Sequence, residues 1–155
     1  MQDLLTDLDI KIPVMASKLK RWKACAIDYI IYSVFVFFII YIFGNKVIDD
    51  DGETVRQLTG VPAFFGGVVP WLLYFPGIES FNNGQTLGKA MLKVRTLKED
   101  GSRVNFGTSF IRHLFDMIDY FPFLGIIGLI VAGNNNKTQR VGDLVAKTIV
   151  VEARG

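Results

Sequence analysis

The chain has 155 residues, of which 50% are hydrophobic and 21% charged, with a formal net charge of +2, one Cys, one His and a mean hydropathy of +0.34. This hydrophobicity excludes a disordered chain, and the length allows one domain. A single Cys excludes an intrachain disulfide and a cysteine-built zinc site, and +2 is too small a charge to point to a nucleic-acid partner.

The apolar residues are gathered into runs. Between Tyr29 and Gly44 there is no charge, and extension back to Ala24 adds only Asp28. About 20 such residues cross a ~30 Å hydrocarbon core, so a first spanning helix is expected over about 20–44. Its late start, its length and the lack of a small-residue cleavage site argue against a secretory signal. A second uncharged run, Gln57–Ile78, predicts a span over 57–78, with Gly66, Gly67 and Pro70 tolerated as in membrane helices.

The loop between the runs carries Asp49, Asp50, Asp51 and Glu53 against Lys46 and Arg56. It lacks the ligand spacing of a calcium loop and reads as a solvated turn. Lys18, Lys20, Arg21 and Lys23 precede the first run, and Lys89, Lys93, Arg95, Lys98 and Arg103 follow the second. Basic residues favour the cytoplasmic side. That places the N-terminal segment 1–17 and the 79–105 segment inside and the acidic loop outside.

Gly84-Gln85-Thr86-Leu87-Gly88-Lys89 has one residue too few between its glycines for a phosphate loop, and Ala90 stands where Ser or Thr would hold magnesium. Alternation from Ala90 to Leu97, a turn signal at Glu99-Asp100-Gly101 and an extended pattern at Val104 and Phe106 predict a β-hairpin over about 90–106. The β-branched run 147–153 predicts a further strand paired with it. Helices are expected over about 107–120 and 122–133, broken at Pro122, as a re-entrant hairpin that returns the tail inside. One long kinked third span with the tail outside is the competing arrangement. The expected fold is therefore an all-α membrane protein, a polytopic helical bundle with a small cytoplasmic β-element.

Arg21 and Asp28 share a helix face, about 10 Å apart along the axis. A carboxylate at membrane depth is a candidate ion or proton site, or else a structural lock. Arg112, Asp116 and Asp119 form a charged stripe on an apolar helix, with Arg112 and Asp116 spaced for an intrahelical ion pair. The stripe either lies solvated at the interface or faces Asp28 with Arg112 as countercharge. His113 reads as a packing or interface residue. With Cys25 it cannot build a metal site, so no metal and no cofactor are expected. No Ser-His-Asp, HExxH or GxSxG arrangement is present, and no enzyme is expected.

The stretches KRWKACAIDYII, GQTLGKAMLKVRTLKEDG and RVGDLVAKTIVV resemble the RDD family of bacterial membrane proteins over roughly residues 15–151. The resemblance implies that Arg21 and Asp28 are the family's arginine and first aspartate and that Asp143 is the second. It implies a multi-pass protein of the bacterial inner membrane, with a membrane domain over 18–151. By local sequence alone Asp143 reads as a turn or helix-cap residue, and in the family reading it pairs with Arg21.

Two functions follow as expectations. The first is an ion- or proton-coupled transporter, or a transporter subunit, with Asp28, Arg112, Asp116 and Asp119 along the path and a homo-oligomer or membrane partner completing it in the lipid bilayer. The second is a non-transporting adaptor or assembly factor that docks a partner on its cytoplasmic sheet.

Overall fold

The computed structural model describes residues 13–116, 126–135 and 137–153. It is built on two long helices. Helix α1 runs Lys18–Phe43. Ser17 caps it, accepting a hydrogen bond from Lys20 N at 3.3 Å, and Gly44 ends it with its N–H on Ile40 O. Only Ala24 and Asp28 of α1 are buried. Ile30, Val34, Phe35, Phe37, Phe38 and Ile42 are more than half exposed, an apolar face suited to lipid rather than water.

Helix α2 runs Val61–Leu72, passes through a π-helical stretch, Leu73–Ile78, and ends in a turn of α-helix, Glu79–Phe81. Pro76 lies inside the π stretch. Proline cannot donate to the helix ladder and crowds the preceding turn, and a π-bulge relieves that crowding by widening the turn. Helices α1 and α2 pack antiparallel, with Ile39 beside Gly66, Tyr32 Oη donating to Gly67 O at 2.9 Å, and Asp28 beside Tyr74. Among the described residues, these are the two helices long and apolar enough to cross a membrane.

The acidic run forms the expected solvated turn, at the tip of a hairpin. Strands β1 (Asn45–Ile48) and β2 (Thr54–Gln57) pair antiparallel, with Val47 opposite Val55. Asp49 Oδ1 accepts from Glu53 N at 2.8 Å and Asp51 N at 3.2 Å, so this acid shapes the turn. Strand β2 also moves the start of the second helix from 57 to Val61.

At the opposite end, short elements fold over the α1–α2 pair. Helix α3 (Leu87–Met91) leads into β3 (Val94–Lys98). Helix α4 (Phe106–Leu114) is capped by Asn105, which accepts from Thr108 N at 2.9 Å. Helix α5 is Ile126–Gly133, α6 is Val141–Val145, and β4 is Thr148–Glu152. Strands β3 and β4 pair antiparallel, Thr96 opposite Val150, and Met15 adds a bridge to Val151 on the other edge of β4. Residues 14–16 thus join this sheet. Ala16, Ala24, Val94 and Val150 form its small apolar core against α1.

Two expectations change here and a third is met. The fold is mixed, helices with two small antiparallel sheets, rather than all-α. The hairpin over 90–106 shrinks to its turn and one bridge, Leu97 to Arg103, because α3 occupies 90–91 and the Asn105 cap turns the chain into α4. The strand expected over 147–153 is Thr148–Glu152. Asp119, Pro122 and the junction of the expected 107–120 and 122–133 helices lie outside the described residues.

Candidate functional site

The short elements converge beside the α1–α2 pair and bury a set of charged side chains. Asp28 is 2% exposed. Its carboxylate accepts from Tyr74 Oη at 2.8 Å, Thr86 Oγ1 at 2.5 Å and Gly88 N at 2.7 Å. The backbone of α3 can come this close because residue 88 is glycine. A Cβ there would overlap the Ala24 carbonyl and stand 2.9 Å from the Asp28 carboxyl carbon. Neutral donors from α2 and α3 therefore hold Asp28. Arg112 is not its countercharge.

Arg112, 1% exposed, instead joins two other carboxylates. Its Nη1 donates to Glu79 Oε1 at 2.8 Å and its Nε to Asp143 Oδ1 at 2.6 Å. The charged face of α4 is thereby buried rather than solvated, and Phe106, Ile111 and Leu114 of the same helix are exposed. Glu79 is fully buried and is the acceptor on which the site closes. Lys89 Nζ and Ser109 Oγ also donate to it, and Thr96 Oγ1 donates at 2.8 Å. His113 Nε2 lies 3.1 Å from its Oε2. The π-bulge before Glu79 turns this end of α2 inward, together with Phe75, whose ring centre is 5.2 Å from that of His113.

Asp143 caps α6, accepting from Arg140 N at 3.1 Å, and its Oδ2 accepts from Arg21 Nη2. The family's arginine and Asp143 are thus in contact, whereas Asp28 sits apart from that pair among uncharged donors. Arg21 Nη1 also donates to Thr138 O. Burial would raise the Asp143 pKa, but Arg112, Arg21 and Arg140 together hold it well below the usual carboxylate range. Burial would likewise lower that of Arg112, and Glu79 and Asp143 reverse the effect. Lys89 is pulled down by burial and by Arg112, with Glu79 opposing.

Asp116 does not pair with Arg112. Its Oδ2 lies 2.6 Å from His113 Nδ1, and its Oδ1 is 3.5 Å from Arg140 Nη1. His113 thus packs against Phe75, as expected, and is also part of the charge cluster. Four cations (Arg21, Lys89, Arg112, Arg140) are interleaved with four carboxylates (Asp28, Glu79, Asp116, Asp143), all buried or nearly so. Between them lies a cavity of about 20 Å³, lined by residues that include Arg21, Cys25, Asp28, His113, Asp116 and Arg140. A space of this size holds one water. No group of three or more His, Cys, Asp or Glu is placed to hold a metal among the described residues.

Sequence reasoning misses Glu79, Lys89 and Arg140 as members of the cluster. Glu79 is the first charge after an apolar run, the same signal that singled out Asp28, but it reads as an ordinary helix end. Lys89 reads as one basic residue of a cytoplasmic segment and as part of a loop that fails as a phosphate binder.

The sequence is similar to an uncharacterized protein, YckC, of Bacillus subtilis (strain 168), with 30% identity over 136 residues, 86% of this chain and 82% of that protein. No solved structure matches. The family model for the RDD family matches residues 15–147. With this match over most of its length, the chain belongs to the RDD family, and two of its helices are long and apolar enough to cross a bilayer.

Proposed function

We propose that the chain is an ion- or proton-coupled transporter, or a subunit of one, of the bacterial cytoplasmic membrane. The observation that carries this reading is the buried network of four carboxylates and four cations around a water-sized cavity at one end of two apolar helices. Taking charges out of water costs several kcal/mol per ion, and apolar side chains of similar volume often stabilise as well or better. Ionisable groups held beside a membrane span mark ion and proton paths. Basic residues around this end orient it, with the N-terminus, to the cytoplasm, and the β1–β2 hairpin outward. Three neutral donors hold Asp28, so the ion-handling role passes to Asp116, which lines the cavity and whose Oδ1 makes no hydrogen bond among the described residues. Two spans enclose only a small cavity, and a second copy or a membrane partner completes the path.

The test is flux through purified protein in liposomes under an imposed cation or pH gradient, against Asp116→Asn at equal protein density. Transport that slows in the variant supports the assignment, and equal flux removes Asp116 from it.

The three-donor clamp on Asp28 supports a second reading, a non-transporting adaptor or assembly factor in which these charges lock the fold and the β3–β4 sheet docks a partner. Copurification of one stable partner, with no flux under any gradient, favours it.

A further inference from the structure

His113 lies with both ring nitrogens against carboxylate oxygens, Nδ1 at 2.6 Å from Asp116 Oδ2 and Nε2 at 3.1 Å from Glu79 Oε2. A neutral imidazole carries one N–H and one lone pair. With both carboxylates ionised, one of these contacts would set lone pair against lone pair in a buried site. The geometry therefore requires one more proton in the Glu79–His113–Asp116 unit than a neutral ring and two carboxylates supply.

That proton has a preferred place. Glu79 accepts from two cations, Lys89 and Arg112, and from the Thr96 and Ser109 hydroxyls, all of which favour its ionised form. Asp116 has fewer donors. Its Oδ1, 3.5 Å from Arg140, makes no hydrogen bond among the described residues, and Asp116 lines the cavity.

We propose that His113 is a proton-binding residue, held as an imidazolium between Glu79 and Asp116 and exchanging its proton with water through Asp116. Release breaks the Nδ1–H bond and forms O–H on the Asp116 carboxylate. A cavity water then accepts that proton as hydronium, and the ring keeps Nε2–H on Glu79. Arg21 and Asp28 from α1 border the same cavity, and Phe75 closes the ring's apolar side. Arg112 on the ring's own helix and Asp143 beyond it set the surrounding charge. The proposal deepens the transport reading by naming the coupling ion, yet it stands on geometry that can be read without transport.

The chain contains one histidine, so its ring can be observed alone. Protein purified with a histidine-free tag and carrying ¹⁵N-histidine, in lipid nanodiscs at pH 7, reports both ring nitrogens directly. The expected spectrum shows two protonated nitrogens, and Asp116→Asn converts it at the same pH to one protonated and one bare nitrogen. A bare nitrogen in the wild-type ring at pH 7 overturns the proposal. A doubly protonated ring that Asp116→Asn leaves unchanged overturns the exit through Asp116. Absent flux beside a doubly protonated ring sinks the transport reading and leaves the proton site standing.

Discussion

Arg21 near the start of α1 donates to the carboxylate of Asp143 on α6, 122 residues further along the chain. The same carboxylate receives Arg112 and the backbone N–H of Arg140. One side chain thus ties the first helix, α4 and the segment leading into β4 together.

Loss of that carboxylate strands buried cations. Asp143→Ala leaves Arg21 and Arg112 short of a partner, and removing one member of a buried pair costs about 3–5 kcal/mol. The expected result is a large drop in the melting temperature of detergent-purified protein, or its absence from the membrane fraction. Reversing the Arg21–Asp143 charges will not restore it, because an arginine at 143 would meet Arg112 and Arg140. Recovery in that double variant would contradict the three-arginine arrangement.

Acid should loosen the same junction. Asp143 has a folded-state pKa below its unfolded value of ~3.9, so the unfolded chain binds more protons. Its stabilisation is complete above about pH 4–5 and fades as pH falls through and below the unfolded value toward the folded one. Melting temperature measured from pH 7 down to pH 3 should fall steeply at the acid end, and Asp143→Asn should start lower and fall less. Parallel curves for the two proteins would contradict this.

Gly88 permits the closest approach between α3 and α1. A methyl group there meets the Ala24 carbonyl and the Asp28 carboxyl. Gly88→Ala should destabilise by about 1–3 kcal/mol, the usual range for overpacking, while Gly67→Ala, where a Cβ meets nothing within 4 Å, should not. Thermal melts of the two variants side by side check the contrast.

The Lys137–Glu99 pair, by comparison, is exposed, with side chains 51% and 36% accessible. Such pairs contribute about 0–1 kcal/mol. Lys137→Ala should melt within a degree or two of wild type, and a large loss would mean that the 137–140 segment is anchored through this pair.

Sequence and structure agree where one physical rule dominates. The uncharged run after Asp28 places α1 almost to the residue, and the β-branched run near the C-terminus places β4. Arg21 and Asp28 stand out because charge beside hydrocarbon is rare. Arg21's partner, Asp143, is legible through the family resemblance, whereas the partners of Asp28 and Arg112 are not, because they are chosen by tertiary packing. Arg112 is four residues from Asp116 in sequence, yet it turns to Glu79 and Asp143, which α2 and α6 bring to it. Glu79 points inward because a π-bulge at Pro76 resets the helix phase, which an α-helical period cannot anticipate. The acidic run reads correctly as a solvated turn, but the short Val47–Ile48 and Thr54–Val55 edges that pair on either side of it are not legible beside so many charges.

Flux is the most direct test of the account. Purified protein in liposomes with a pH-sensitive dye inside, under an imposed pH gradient and with sodium or potassium outside, should dissipate the gradient severalfold faster than empty liposomes. His113→Gln or Asp116→Asn should return the rate to that of empty liposomes at equal protein incorporation. A wild-type rate equal to that of empty liposomes with every cation tested would contradict transport.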